Sequence, residues 1–492
     1  MKSLAAILSL FVLTSALDDA QAAPAPGPLS NKSLVRVNST NQSFDFFRPW
    51  MKKAPYLRRG LGVVLSGDRV LVTAEIVANH TYVELERAAS AEKTPAEVVV
   101  VDYDCNLALL KPLDPNFLKD AKPVEIDSGA GVGDKATVVQ LESNGVIAET
   151  PATITTIAVT GYPLDHLSLL IYRLSVPLQN REGSFTIPAV RDGKLLGLMM
   201  RYDSRTQTAD LIPPAVITHF LADAKLEQYP GFARVGVAFS STRDPQFRRY
   251  INLKENGGVY VTEVRPGGAA DKAGLKKGDV ILSVAGKPID KDGNYADPNF
   301  GNISYSNLIS TEAHVGDTLD FIILRDGKKQ TLAVKLQPLD HSQVVSEPYL
   351  YNQQPHYYIL GGLVFQELSR PYLQEWGSNW QKTAPQRLVY LDAFQGEEEN
   401  PGSKVVFLSQ VLPTPSTLGY ENLEHLVVTK VNGVEIKSLD DLAKAAKTPK
   451  DGFDKVEFEQ DPGFIYLDAA EVENGKSQIT EEYNIPALQS LD

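Results

Sequence analysis

Residues 180–198 read Asn-Arg-Glu-Gly-Ser-Phe-Thr-Ile-Pro-Ala-Val-Arg-Asp-Gly-Lys-Leu-Leu-Gly-Leu. The two halves of this stretch differ in character. Apolar residues stand on either side of Asp192-Gly193, a turn signal between strands. Ahead of that turn lies Ser184, with Glu182 two residues before it and Phe185 and Thr186 after it. The stretch places a serine eight residues ahead of an Asp-Gly turn, with a strand expected from Lys194 onward. Whether that serine does chemistry depends on what the rest of the chain brings to it.

Working upstream, the pattern is β from about residue 60. Apolar runs at 60–66 and 69–73 meet around Ser66-Gly67-Asp68, and further runs follow at 82–85, 96–102, 107–111, 135–141, 152–159, 167–176 and 194–201. Many short strands punctuated by Gly, Pro and Asp predict β-barrels. A helical stretch at 213–224 closes this unit, which spans 51–227. A second unit covers 228–340. Gly258-Val259-Tyr260-Val261 opens a strand–turn–short helix–strand plan, 304–313 reads as a helix, and a hairpin turns at Asp326-Gly327. A third unit, 341–480, repeats that plan with a helical insertion at 369–394. Ser438 caps a helix there, with Asp440 and Asp441 in its first turn, and 481–492 forms a tail. In the insertion Trp376 and Trp380 fall on one helical face, which predicts an aromatic stripe packed into the unit or a contact between subunits.

At 492 residues the chain has room for several domains, and 43% hydrophobic with 22% charged residues is ordinary globular composition. A net charge of −13 argues against a nucleic-acid surface. The single cysteine, Cys105, excludes an intrachain disulfide and a cysteine-rich metal site. Residues 1–22 read as a secretory signal: Lys2, an apolar core from Leu4 to Leu17, and a small-x-small site at Ala20-Gln21-Ala22. The expectation is an exported chain, periplasmic or extracellular, without a membrane span after cleavage. Residues 23–50, rich in Pro, Ser and Asn, read as a flexible leader. Its triplets at Asn31, Asn38 and Asn41 are glycosylation acceptors only in a host that glycosylates exported proteins.

The order of a β-barrel unit and two such repeats resembles the Deg/HtrA family of exported serine peptidases with PDZ domains, over nearly the whole mature chain. Gly361-Gly362-Leu363-Val364-Phe365, Ser409-Gln410-Val411-Leu412, Gly419-Tyr420, Lys430-Val431-Asn432-Gly433-Val434 and Asn484-Ile485-Pro486 are similar to the long, plant-type branch of that family. The resemblance implies a mainly β chain: a chymotrypsin-like double barrel followed by two PDZ domains, working in protein quality control as a homo-oligomer.

The resemblance also shows where the chemistry departs. The family writes its histidine as Thr-(Ala/Asn)-x-His-Val; here Thr73-Ala74-Glu75-Ile76-Val77 puts Ile76 in that place. The family's aspartate sits in Asp-x-x-x-Asp-Leu-Ala-Leu-Leu; here the run from Asp102 to Leu110 puts Asn106 there. The family's serine stands in Gly-Asn-Ser-Gly-Gly-Pro, eight residues before an Asp-Gly turn, which is Ser184. Glu182, Phe185 and Thr186 replace the surrounding glycines. A serine without a base is a weak nucleophile, and losing the base alone costs a peptidase roughly 10⁶ in turnover. The expectation is a pseudoprotease with no working catalytic residue among Ile76, Asn106 and Ser184. The alternative is an active endopeptidase using Ser184 with a rearranged base, His80 or His166. No metal, cofactor or nucleotide motif appears.

The repeats keep the apparatus of peptide capture. In the PDZ fold a peptide adds as a strand to an open sheet edge, and backbone N–H groups hold its C-terminal carboxylate. Arg234, Val235, Gly236 and Val237 fit that loop, with Tyr305 and Leu308 expected to shape the side-chain pocket. Gly362, Leu363, Val364 and Phe365 take the matching place in the second repeat, whose expected role is self-assembly before peptide capture. The expected partners are peptide or unfolded-protein termini and further copies of the chain. A third reading leaves the grooves filled by the chain's own segments.

Overall fold

The computed structural model describes residues 29–88, 90–142, 146–163, 167–178, 186–395 and 403–491. Six strands close a first barrel: β1 (Leu34–Asn41), β2 (Tyr56–Leu65), β3 (Arg69–Val72), β4 (His80–Arg87), β5 (Lys93–Asp102) and β6 (Leu107–Pro112), joined in the order β1-β2-β3-β6-β5-β4. A second barrel is built from β7 (Lys135–Leu141), β8 (Ile147–Gly161), β9 (Ser168–Ser175), β10 (Ile187–Arg191), β11 (Lys194–Asp203) and β12 (Thr208–Ile212), in the order β10-β11-β12-β9-β8-β7. β10 and β11 form a hairpin across Asp192-Gly193. Asp192 and Gly193 both have positive φ, 51° and 74°, as the mirror-image two-residue turn requires. Helix α1 (Pro214–Asp223) follows.

One expectation is overturned here. Much of the supposed leader is structural. Residues 34–41 form β1, paired on one side with β2 and on the other with β4. Leu34, Val35 and Val37 enter the core, while Ser39 and Asn41 are equally buried. The composition concealed the strand because half of its inward positions are polar. Asn41 is also no glycan acceptor in this fold. Its amide is sealed inside, donating to the carbonyls of Ile76 at 3.0 Å and Ala78 at 2.7 Å.

The first PDZ unit contains β13 (Val237–Ser240), α2 (Pro245–Tyr250), β14 (Val259–Val264), α3 (Ala269–Lys272), β15 (Val280–Val284), β16 (Lys287–Pro288), β17 (Asn294–Asp297), β18 (Gly301–Ser304), β19 (Thr318–Arg325) and β20 (Lys328–Lys335). Its sheet runs β13-β14-β15-β19-β20, which leaves β13 at an edge. The helix expected over 304–313 is shorter. Ser304 ends β18, and the helical turn is a wide one at Leu308–Glu312. The hairpin β17–β18 takes up the residues that the sequence left without pattern. This unit's core merges with that of the second barrel, so the two pack as one apolar body.

The second PDZ unit contains β21 (Tyr357–Leu360), β22 (Leu363–Glu367), α4 (Arg370–Gln374), α5 (Trp380–Thr383), α6 (Gln386–Ala393), β23 (Val406–Val411), β24 (Leu426–Val431), β25 (Val434–Glu435), α7 (Leu439–Ala445), β26 (Phe453–Phe458), β27 (Phe464–Asp468) and β28 (Gln489–Ser490). The Ser438 side chain caps α7 by accepting from the Asp441 N–H at 3.2 Å. The insertion's aromatic residues are used inside the molecule. Trp376 meets Phe47 edge-on at 4.9 Å and Tyr372 at 5.4 Å. Phe47 belongs to the strap after β1. The same strap receives Gln366 on the Phe46 carbonyl and pairs Lys53 with Glu375 at 2.6 Å. The chain's beginning is thereby clamped to its last domain.

Candidate functional site

Two places carry the candidate residues: the seam between the barrels, and the edge of β13. At the seam, the short helical turn Ala74–Val77 follows β3. Ile76 is fully buried and packs with Val35, Val64, Val70 and Leu110 in the first barrel's core. It offers neither a lone pair nor a proton. Asn106, itself buried and in the left-handed region at φ 56°, faces Glu75 instead. Its Oδ1 accepts from the Glu75 N–H at 3.1 Å and its Nδ2 donates to Glu75 Oε1 at 2.7 Å. Burial raises the pKa of Glu75; the Asn106 hydrogen bond and the Arg58 cation pull it back. Arg58 also donates to the Glu75 carbonyl.

Ser184 and His166 lie outside the described residues. Thr186, two positions beyond the serine, holds φ 51°. That is a costly conformation for a β-branched residue, on the order of 1–3 kcal/mol. It is held there by Thr73, whose N–H donates to Thr186 Oγ1 at 2.9 Å and whose hydroxyl meets it at 2.7 Å. His80 opens β4 with Nδ1 2.7 Å from the Val77 carbonyl, a local contact within its own turn.

The loop after β5 serves as an anchor between domains. Tyr229 donates to Asp102 Oδ2 at 2.6 Å, and the Cys105 N–H to Asp102 Oδ1 at 3.0 Å. Burial first, and then the Asp104 charge, raise the Asp102 pKa to about 6. Asp104 pairs with Arg234 at 2.6 Å. Tyr103 packs against Tyr351 at 4.5 Å and accepts from Asn352 Nδ2 at 2.9 Å; the Asn352 N–H donates to Asn79 Oδ1 at 2.8 Å. The segment linking the PDZ units is thus fastened to the same barrel loop that carries Asn106.

The edge of β13 borders a cleft of about 710 Å³. Val235, Gly236 and Val237 line it, and Gly236 adopts φ 74°. Val235 and Gly236 present N–H groups with no acceptor among the described residues. The carbonyls of the same two residues are taken by the N–H groups of Ala270 and Arg265. Arg234 adds its charge elsewhere, to Asp104. The cation at the loop is Arg265, which has no ion pair among the described residues. Burial, and then the nearby Arg234 charge, lower its pKa, while the Glu263 charge pulls it back. Across the cleft stand Ser306, Ile309 and Ser310. Tyr305 and Leu308, expected to shape the pocket, are buried in the unit's core and outside the cleft lining, whereas Ile309, equally buried, also borders the cleft. Sequence reasoning missed Arg265, although its place just before Pro266-Gly267-Gly268 marks the turn that faces the loop.

The second unit differs. Gly361 and Gly362, at φ 62° and 116°, turn the chain so that β21 lies antiparallel beside β22. At Gly362 a side chain would run into the Leu412 carbonyl at 2.6 Å. Leu363, Val364 and Phe365 are wholly buried, and β22 is paired on both sides, to β21 and β23. β28 from the tail extends the same sheet beyond β21. The edge that is open in the first unit is closed here by the chain itself.

Two closed barrels followed by two PDZ domains define the class: a trypsin-like unit carrying peptide-binding modules. The model of the PDZ domain family matches residues 233–336, and a second PDZ domain model matches 346–492. Protease Do-like 2, chloroplastic, from Arabidopsis thaliana is 29% identical over 94% of this chain and 75% of its own length. Protease Do-like 4, mitochondrial, from the same plant is 25% identical over 94% of the chain and 85% of its own length. The serine protease DegP homolog of Plasmodium falciparum is 21% identical over 82% of the chain and 57% of its own length. Among solved structures, HtrA-type protease AlgW with decapeptide aligns over 63% of this chain and 97% of its own, at 17% identity and a TM-score of 0.48. The chain carries two PDZ domains and is similar over most of its length to Deg/HtrA-type proteases.

Proposed function

We propose that the chain is a catalytically inactive Deg/HtrA homologue that captures peptide or unfolded-protein C-termini on its first PDZ domain and acts as a scaffold or chaperone-like module. One contrast supports this most. Ile76 is sealed in the barrel core where the family's base would stand, while the β13 edge lies open beside the Arg265-lined cleft. Asn106 is consistent with it, because both ends of its amide are committed to Glu75. The second PDZ domain, with its edge closed, suits assembly better than capture. The relatives are named as proteases, and activity in them says nothing of a base here. The test compares wild type with Ser184→Ala on unfolded casein, and measures binding of a free-acid peptide against its C-terminal amide. No serine-dependent cleavage, and tighter binding of the free acid, are expected. Serine-dependent cleavage overturns the reading.

Export and self-association form part of the same proposal. The segment from Lys2 to Ala22 supports secretion to the periplasm or exterior, and the N-terminal sequence of the mature protein tests it. No helix among the described residues is long and apolar enough to cross a membrane. Homo-oligomers follow from the family resemblance alone, and sedimentation of the purified chain tests them.

A further inference from the structure

Away from both sites, α1 carries His219 and Asp223 one turn apart, and His314 approaches them from the loop before β19. His219 and Asp223 are each only 4% exposed. His219 Nδ1 lies 2.9 Å from the Thr311 carbonyl. A carbonyl oxygen only accepts, so Nδ1 carries the proton and Nε2 is left with a bare lone pair. That Nε2 lies 3.3 Å from Asp223 Oδ2, and neither atom has a hydrogen-bond partner among the described residues. Asp223 Oδ1 accepts from His314 Nδ1 at 2.7 Å. Two lone pairs thus face each other in the interior, a costly arrangement unless something positive lies between them.

We propose that His219, Asp223 and His314 form a binding site for one zinc-class divalent transition-metal ion, which ties the last helix of the barrel unit to the first PDZ domain. Two imidazoles and a carboxylate suit zinc or cobalt rather than calcium or magnesium. The three ligand atoms already lie within 4.8 Å of one another. The Thr311 carbonyl fixes the tautomer that frees His219 Nε2, the usual outer partner of a metal-bound histidine. His314 has to move most. Its ring stacks on His219 at 3.9 Å and 14°, and parallel rings cannot both aim an in-plane lone pair at one ion. It is also the ligand free to turn, with its side chain 40% exposed, whereas Phe232 holds the other face of His219 at 4.4 Å. A cavity of about 450 Å³, lined by Thr218, Thr311 and Ser128, adjoins the cluster and gives an ion a way in. Sequence motifs gave no hint of this, because the third ligand lies far along the chain. The His-x-x-x-Asp spacing on α1 is the one local trace.

Titrating zinc, and separately cobalt, into the metal-stripped full chain tests the site. One equivalent should bind, the cobalt form should show the visible bands of a four-coordinate nitrogen and oxygen site, and the thermal midpoint should rise. His314→Ala, at a half-exposed side chain, should weaken binding at least ~10-fold, with circular dichroism confirming that the variant is folded. His356→Ala, at a histidine paired with Glu367 in the other PDZ domain, should leave it unchanged. Absence of stoichiometric binding at micromolar metal overturns the proposal, since the gap would then be filled by a proton. So does binding that His314→Ala leaves intact.

Discussion

Asn106 grips Glu75 at both ends of its amide, accepting the backbone N–H at 3.1 Å and donating to the carboxylate at 2.7 Å. An aspartate in that place would set two carboxylates against each other. The two residues form a matched pair that suits an amide at position 106.

Asn106→Asp and Ile76→His are therefore both expected to damage the fold. Asn106→Asp should cost about 1–3 kcal/mol at neutral pH, because a hydrogen bond becomes a like-charge contact. The loss should shrink on acidification, as the pair picks up a proton, and in a Glu75→Gln background. Ile76→His should cost a similar amount by placing a polar ring in an apolar core. Urea unfolding at two pH values checks both. Wild-type stability for Asn106→Asp at neutral pH would refute the pairing.

Arg265→Ala should weaken binding of free-acid peptides to the first PDZ domain about 10-fold, the scale of one charge-assisted contact of about 1.4 kcal/mol. Binding of the amidated peptide should hardly change. Fluorescence anisotropy of the two peptides separates charge from groove shape. Equal losses for both would assign Arg265 a structural role only.

The Asp102 pKa, raised from 3.8 to about 6, has a definite sign. The folded chain binds this proton more tightly than the unfolded one, so the protonated form favours folding. Stability should fall as pH rises from near 4 through 6, and the penalty is complete above that window. Asp102→Asn keeps an acceptor for the Cys105 N–H and removes the titration. Its melting temperature should fall less than that of wild type from pH 5 to pH 7.5, a difference on the order of 1–3 kcal/mol at the upper end. Parallel profiles would show that Asp102 stays ionised throughout.

Phe47→Ala and Trp376→Ala should each loosen the clamp between the strap and the second PDZ domain. A double-mutant cycle should return a coupling of about 0.5–1.5 kcal/mol for the edge-to-face pair. Limited proteolysis should cut residues 42–53 faster in either variant. Additive effects with unchanged proteolysis would show that Lys53–Glu375 and the Gln366 hydrogen bond hold the strap unaided.

The sequence by itself determined the architecture. Apolar runs spaced by Gly, Pro and Asp turns set the strands. Asp326-Gly327 marked the β19–β20 hairpin, since such a turn is a local signal carried by neighbouring residues. The sequence also put isoleucine at 76 and asparagine at 106, side chains that offer no general base whatever the fold. Tertiary structure decided the rest, because it depends on residues far apart in the chain. β1 emerged from a polar leader only because β2 and β4 supply its partners. Tyr305 and Leu308 went to the core and Arg265 to the cleft. The closed edge of β22 depends on β21 folding back at Gly361-Gly362. His219, Asp223 and His314 meet only where the barrel's last helix packs against the first PDZ domain.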